Sequence, residues 1–380
     1  MELSETLNYE GCNFSRQRIV LSILSGRPIK ISQIRPLDDE PGLRDFEMKF
    51  LKIIDQVTNG SRMEINRTGT EIRYWPGMMQ GGTFEYDCGN DRCLSYFLEP
   101  LIVLAPFAKL PMKARLTGVT NAPDEPSVDA LRATWLPVFS KFILDNEALD
   151  IKLTSRGLKP DGGGLVTFTS PIIKQLRPVQ TEKVGKVCKV RGLAYVTKVS
   201  PTLASRMIDS AKKALQGFLS DVYITVDQRK GINGGNSPGY GLFLTAETTE
   251  GVVFHGEAIS KPKGDKGDPL VPEDIGQMAA NRLLDEINRG GCLDSSAQSL
   301  GVVFMSLGQK DVSKFLFGPL SNYCVYTLRH LRDFFDVTFK IDQWSKQQKE
   351  DEQEMRLGSK DKALMTCVGV GYSNMNKVLL

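Results

Sequence analysis

Residues 28–57, PIKISQIRPLDDEPGLRDFEMKFLKIIDQV, are answered by residues 111–142, PMKARLTGVTNAPDEPSVDALRATWLPVFSKF. Both open on proline, an apolar residue and lysine, run through an extended stretch to Asp-Glu-Pro, and then turn helical. In the first copy Leu43, Phe46, Phe50, Ile53, Ile54 and Val57 share a helix face, and in the second Val128, Leu131, Trp135, Val138 and Phe142 do. Asp39-Glu40-Pro41 and Asp124-Glu125-Pro126 suit helix starts, because carboxylates favour the positive end of the helix dipole and proline is tolerated in the first turn.

Outward from this pair, each helix leads into a hairpin. One spans Arg62 to Tyr74 after the Asn59-Gly60 turn; the other spans Asp150 to Arg156 and Leu165 to Thr169, joined through Gly162-Gly163-Gly164. A further helix precedes each unit, at Phe14 to Leu24 and Cys93 to Leu104, so the repeat reads helix, strand, helix, hairpin. A diverged third copy fits helices Ser295 to Leu307 and Leu320 to Phe335 about a strand near Lys314 to Phe317, with closing strands at Val337 to Ile341 and Leu364 to Val370.

Between the second and third copies the rhythm changes. Strands are expected at Val187 to Val199, Val222 to Val226, Leu242 to Ala246 and Val252 to Ala258, with helices at Thr202 to Phe218 and Glu273 to Ile287. The division follows as 1–182 for the first two repeats, 183–289 for an inserted domain and 290–380 for the third repeat. The fold class is α/β, in the α+β sense, with repeats covering one another's exposed sheet faces.

Composition limits what such a chain does. With 48 basic against 45 acidic residues the net charge is only +3, so nucleic-acid affinity has to come from local patches. Seven scattered cysteines without a C-x-x-C pair, and only His255 and His330 beside them, point to reduced thiols and no zinc site. Met1 to Glu10 is acidic and unlike a secretory or transit signal, and the apolar run Leu98 to Leu110 is broken by Glu99, Pro100, Pro106 and Lys109. A soluble protein without membrane or cofactor is expected.

Several segments are candidates for anion binding. The loop Tyr9 to Arg16 places free backbone N–H groups and Arg16 at a helix entry. Lys183, Lys186, Lys189 and Arg191 enter the insert, Lys212 and Lys213 lie on its helix, and Lys261, Lys263 and Lys266 sit in a Gly/Pro loop; together they make a candidate RNA footprint. On the helix from Leu320, Tyr326, Arg329, His330 and Arg332 are expected near one another, with Leu328, Leu331 and Phe335 buried beneath them. Gly231 to Gly241 reads as a flexible connection, His255 as structural, and Lys346 to Lys362 as a mobile excursion.

Pro41-Gly42-Leu43, Lys159-Pro160-Asp161-Gly162-Gly163-Gly164, Ser237-Pro238-Gly239 and the repeat-with-insert layout resemble the RNA 3′-terminal phosphate cyclases, most closely their eukaryotic nucleolar branch. The resemblance covers nearly the whole chain and implies three βαβαββ-type units with a smaller inserted domain. Cyclases open with glutamate, three glycines, glutamine and, further on, arginine; here the matching positions read Tyr9, Glu10, Gly11, Cys12, Asn13 and Arg16. Cyclases also attack ATP with a histidine just before the last helix, and Tyr323 falls in that slot. A phenol of ordinary pKa about 10 is protonated at neutral pH, whereas an imidazole near 6.5 offers a lone pair. No adenylation is therefore expected.

The branch further implies work in early pre-rRNA processing for the small ribosomal subunit in the nucleolus. Its implied partners are a nucleolar GTPase, pre-rRNA and a small nucleolar ribonucleoprotein. The competing expectation is an endonuclease built on Arg329, His330 and Arg332.

Overall fold

The computed structural model describes residues 5–144, 147–262, 264–265, 270–344 and 361–375. From the N-terminus run β1 (Leu7–Glu10), α1 (Ser15–Ser25), β2 (Ile29–Ser32), α2 (Asp45–Val57), the short β3 (Thr58–Asn59), β4 (Arg62–Ile65), β5 (Ile72–Trp75) and β6 (Met78–Met79). Next come β7 (Gly81–Asp87), α3 (Ser95–Leu104), β8 (Leu110–Gly118), α4 (Val128–Ala130), a π-helical turn (Leu131–Trp135), α5 (Leu136–Phe142), β9 (Asp150–Ser155) and β10 (Gly164–Ser170). Then follow β11 (Gln180–Thr181), β12 (Val187–Thr197), α6 (Thr202–Leu215), β13 (Val222–Arg229), β14 (Gly239–Thr248), β15 (Val253–Ile259) and α7 (Pro272–Arg289). The chain ends with α8 (Gln298–Leu307), β16 (Val312–Phe317), α9 (Asn322–Phe335), β17 (Lys340–Gln343) and β18 (Ala363–Val368).

Three four-stranded sheets, ordered β1-β2-β5-β4, β7-β8-β10-β9 and β11-β16-β18-β17, share one pairing pattern: a parallel first pair followed by two antiparallel ones. Strand β8 shows why each sheet has a wet side, since Met112, Ala114 and Leu116 point inward while Lys113, Arg115 and Thr117 point out. Inside, helices meet helices: α1 packs on α3 and α9, α9 on α8, and α8 on α5. The fourth sheet, β13-β12-β14-β15, carries α6 and α7, and its apolar residues continue the same core.

The short β11 pairs with β16 and so joins the third sheet, although the sequence reading left residues 180–181 with the second repeat. Neither Asp-Glu-Pro triplet starts its helix. Arg44 is the N-cap of α2, where the Glu47 carboxylate accepts the Arg44 backbone N–H at 2.8 Å, and Ser127 caps α4. The first triplet is held off because Gly42, at φ +88, turns the chain so close to Thr68 that a Cβ would stand 2.2 Å from its carbonyl oxygen. In the second, Glu125 accepts from Arg92 Nε at 2.9 Å and from the Cys93 backbone N–H at 3.2 Å.

The Gly231 to Gly241 stretch is fastened, not flexible. Asn233 O accepts from Arg156 N, Asn236 N donates to Gly162 O and Ser237 Oγ accepts from Asp161 N, all within 3.0 Å. Beside it lies Arg156, fully buried, which bonds Asn121 and Asp129 of the second unit and Asp227 of the fourth sheet, and stacks 4.2 Å over Tyr195. A second tie joins β15 to the third unit: Asp294 accepts from both the backbone N–H and Nδ1 of His255, at 2.9 and 2.8 Å. Lys263, Lys266 and most of Lys346 to Lys362 lie outside the described residues. Among the described residues, no helix is long and apolar enough to cross a membrane.

Candidate functional site

Helix α1 enters through Phe14, whose left-handed backbone (φ 60) swings its ring onto Tyr326 of α9, stacked at 4.1 Å. One residue pair further on, Arg16 turns inward. Its guanidinium donates to Tyr96 O at 2.6 Å, pairs with Glu99 at 3.1 Å and lies 4.0 Å over the Tyr96 ring. Burial opposes its charge, but Tyr323 and Glu99 outweigh burial and keep it protonated. Burial raises the Glu99 carboxyl while Arg16 holds it down. The Arg16–Glu99 pair as a unit is close to neutral, so it attracts a phosphate less than an unpaired guanidinium would.

Tyr323 sits in the first turn of α9, whose N-cap Ser321 accepts from Cys324 N at 3.2 Å. Gln17 bridges the two helices, donating to Tyr323 O at 3.1 Å and to Thr327 Oγ1 at 2.8 Å. Burial pushes the Tyr323 phenol up to about 12, against Arg16 which pulls it down. The phenol is therefore a still poorer nucleophile than tyrosine in water. Arg16, Gln17, Glu99, Trp135, Ser299 and Tyr323 enclose a cavity of about 40 Å³. That is room for a water or so, whereas small-molecule sites run to roughly 300–1,000 Å³.

The structure separates the residues grouped on α9. His330 is buried, because its helical position aligns with Cys324, Thr327, Leu331 and Phe334, while Arg329 and Arg332 are exposed. Leu328 and Phe335, expected beneath the group, are half-buried. Both ring nitrogens of His330 are engaged: Nδ1 with Gln17 Oε1 at 2.9 Å, and Nε2 as acceptor from Arg18 Nε at 3.3 Å. Burial, then Arg18, pull its pKa down to about 4. Arg329 stacks 5.0 Å over Tyr326, and Arg332 lies 3.8 Å from Asp333. Tyr9 also reaches Asp333, at 3.3 Å, and its ring packs edge-on to His330.

Lys183, Lys186, Lys189, Arg191, Lys212 and Lys213 lie toward the end of the insert's sheet where β12 begins and α6 ends, whereas Lys261 follows β15 at the opposite end. They arrive with counter-charges. Lys189 pairs with Glu247 at 2.9 Å and Arg191 with both oxygens of Asp221 at 2.8 and 3.0 Å. Lys183, Lys186, Lys212, Lys213 and Lys261 are exposed, and among the described residues Lys212 and Lys213 have no ion-pair partner.

Sequence reading missed Gln17, Glu99, Thr327 and Ser299. Glu99 alone carried a signal, as a lone acid within an apolar helix. A cleft of about 300 Å³ between the units also went unread; it is lined by His255, Glu257, Arg282 and Glu286 with the 121–127 loop. In it Glu257 accepts from Ser127 N at 2.8 Å, and burial raises the Glu257 and Glu286 carboxyls.

Comparison with known proteins gives these residues a setting. The family model described as RNA 3′-terminal phosphate cyclase matches residues 7–341. A Caenorhabditis elegans protein called probable RNA 3′-terminal phosphate cyclase-like protein is 61% identical, over 99% of this chain and 100% of its own. The Homo sapiens RNA 3′-terminal phosphate cyclase-like protein is 51% identical over 99% of both chains. The Schizosaccharomyces pombe rRNA processing protein rcl1 is 36% identical, again over 99% of both. By sequence over almost its whole length, then, the chain belongs to the RNA 3′-terminal phosphate cyclase family.

Proposed function

We propose that the chain is a ribosome-biogenesis factor without cyclase activity, acting in early pre-rRNA processing for the small (40S) subunit in the nucleolus. The name of the fission-yeast relative supports the process, and the "cyclase-like" names of the animal relatives support the loss of chemistry. The three sheets of common pairing are, in this reading, three βαβαββ units carrying the 183–289 insert. The partners proposed are a nucleolar GTPase, pre-rRNA and a small nucleolar ribonucleoprotein.

One observation carries the absence of chemistry: the space beside Tyr323 is a cavity of about 40 Å³ whose cation, Arg16, is already neutralised by Glu99. A nucleotide has neither room nor a free positive charge there. Incubating the purified chain with radiolabelled ATP and an RNA ending in a 3′-phosphate should give no labelled protein and no cyclic end. A covalent adenylate would overturn the reading. The endonuclease alternative is weakened, because a neutral, buried His330 with both nitrogens engaged is a poor proton carrier beside exposed Arg329 and Arg332.

A further inference from the structure

The two edges of the insert's sheet are treated differently. At β15, outward main-chain groups are occupied by side chains: His255 N–H by Asp294 at 2.9 Å and Glu257 O by Arg282 at 2.7 Å. At the opposite edge, β13 pairs in parallel with β12 over eight residues, from Val190↔Val222 to Thr197↔Arg229. Beyond it, among the described residues, no strand follows.

Edge strands that stay solitary are usually blunted by lysine, proline, a bulge or a covering element. No lysine, proline or bulge interrupts Val222 to Arg229, and its charged side chains sit only at the far end, where Asp227 pairs with Arg156 and Arg229 donates to Thr154 O at 3.3 Å. The strand instead exposes Tyr223 (63%) and Val226 (49%), and Phe218 (40%) stands just before it. Buried Ile224 anchors the strand against the core, so the exposed residues are held in a fixed register. Where α6 ends against the start of β13, a groove of about 760 Å³ is walled by Lys212, Lys213, Phe218, Leu219 and Val222.

Charge decides what fits. Lys212 and Lys213 at one end and Lys230 at the other are exposed and without ion-pair partners among the described residues. The carboxylates of the strand and its approach are taken: Asp221 by Arg191, and Asp227 by Arg156 and Arg229. Asp209 is the remaining acid on the groove. The geometry points to β13 and the Lys212–Lys213 groove as a docking site for an extended acidic segment of a partner protein, added to the sheet as a further strand. Main-chain hydrogen bonds supply affinity in that mode, and alternate side chains supply specificity. An RNA strand would use the lysines but has no backbone amides to pair with the edge. The proposal is independent of the chain's part in rRNA processing.

A fluorescent ten-residue peptide alternating valine and glutamate, titrated into the full chain, tests it. Binding should weaken at least tenfold in Val226→Lys and in Lys212→Glu/Lys213→Glu, each checked for an unchanged melting temperature, and should slow amide exchange across 222–229. Equal binding to the wild type and to V226K would overturn the proposal, as would bound peptide that leaves those amides unprotected. A single-stranded oligouridine that binds through Lys212 and Lys213 and displaces the peptide, with Tyr223 and Val226 dispensable, would overturn it in favour of RNA.

Discussion

Arg16 and Glu99 meet at 3.1 Å with about 15% and 13% of their side chains exposed, so the cation that the helix entry offers is answered by a carboxylate from α3. Removing one partner leaves the other charge stranded in a largely dry site. Glu99→Ala should lower stability by about 3 kcal/mol, whereas Arg16→Met with Glu99→Leu should cost much less. Urea midpoints of the three proteins measure both.

A histidine at position 323 should not confer adenylation. Tyr323→His places an imidazole beside a cavity of about 40 Å³ and a guanidinium paired with Glu99. No acid-labile labelled adenylate is expected after incubation with ATP, and gel autoradiography reads the outcome.

The two histidines should give stability opposite slopes with pH. Burial lowers the pKa of His255 but Asp294 outweighs it, raising it to about 9; the stabilisation is complete below about 6.5 and is lost as pH rises through 9. His330, pulled down to about 4, contributes fully above about 6.5 and loses that contribution as pH falls toward 4. Relative to wild type, His255→Gln should flatten the alkaline limb and His330→Gln the acid limb, each by about 3 kcal/mol. Denaturant midpoints from pH 4 to 9.5 separate the two.

Gly256 of β15 lets α7 lie against the sheet, since a Cβ there would stand 2.3 Å from Leu283 N and 2.6 Å from Ala279 O. Backbone cannot step aside as a side-chain tip can. Gly256→Ala should cost about 2 kcal/mol, read from thermal unfolding.

Most elements were legible because their periods were clean: α1, α9, the two early hairpins and the strands of the insert lie close to where alternation and 3.6-residue spacing place them. Helix starts were misjudged where a local cap overrode the acid-proline signal, as Arg44 with Glu47 does in α2. His330 was misplaced because sequence neighbours Arg329 and His330 diverge by about 100° around a helix, and one step moves a side chain from water to core. Glu99 and Arg16 were each visible alone, but nothing in the chain announces a pairing across more than eighty positions. The insert's basic residues looked like one patch because Asp221 and Glu247, which neutralise Arg191 and Lys189, arrive from the turn before β13 and from β14.

Arg156 has a consequence for how the molecule moves. Its guanidinium is shared by Asn121 and Asp129 on one side of the inter-unit cleft and by Asp227 on the other. Swinging the insert outward would break that sharing and leave the buried guanidinium short of one set of its oxygen partners. An enzyme that admits and releases substrate by breathing at this seam would be hampered by such a rivet; a part whose task is to hold other molecules at fixed separations would be served by it.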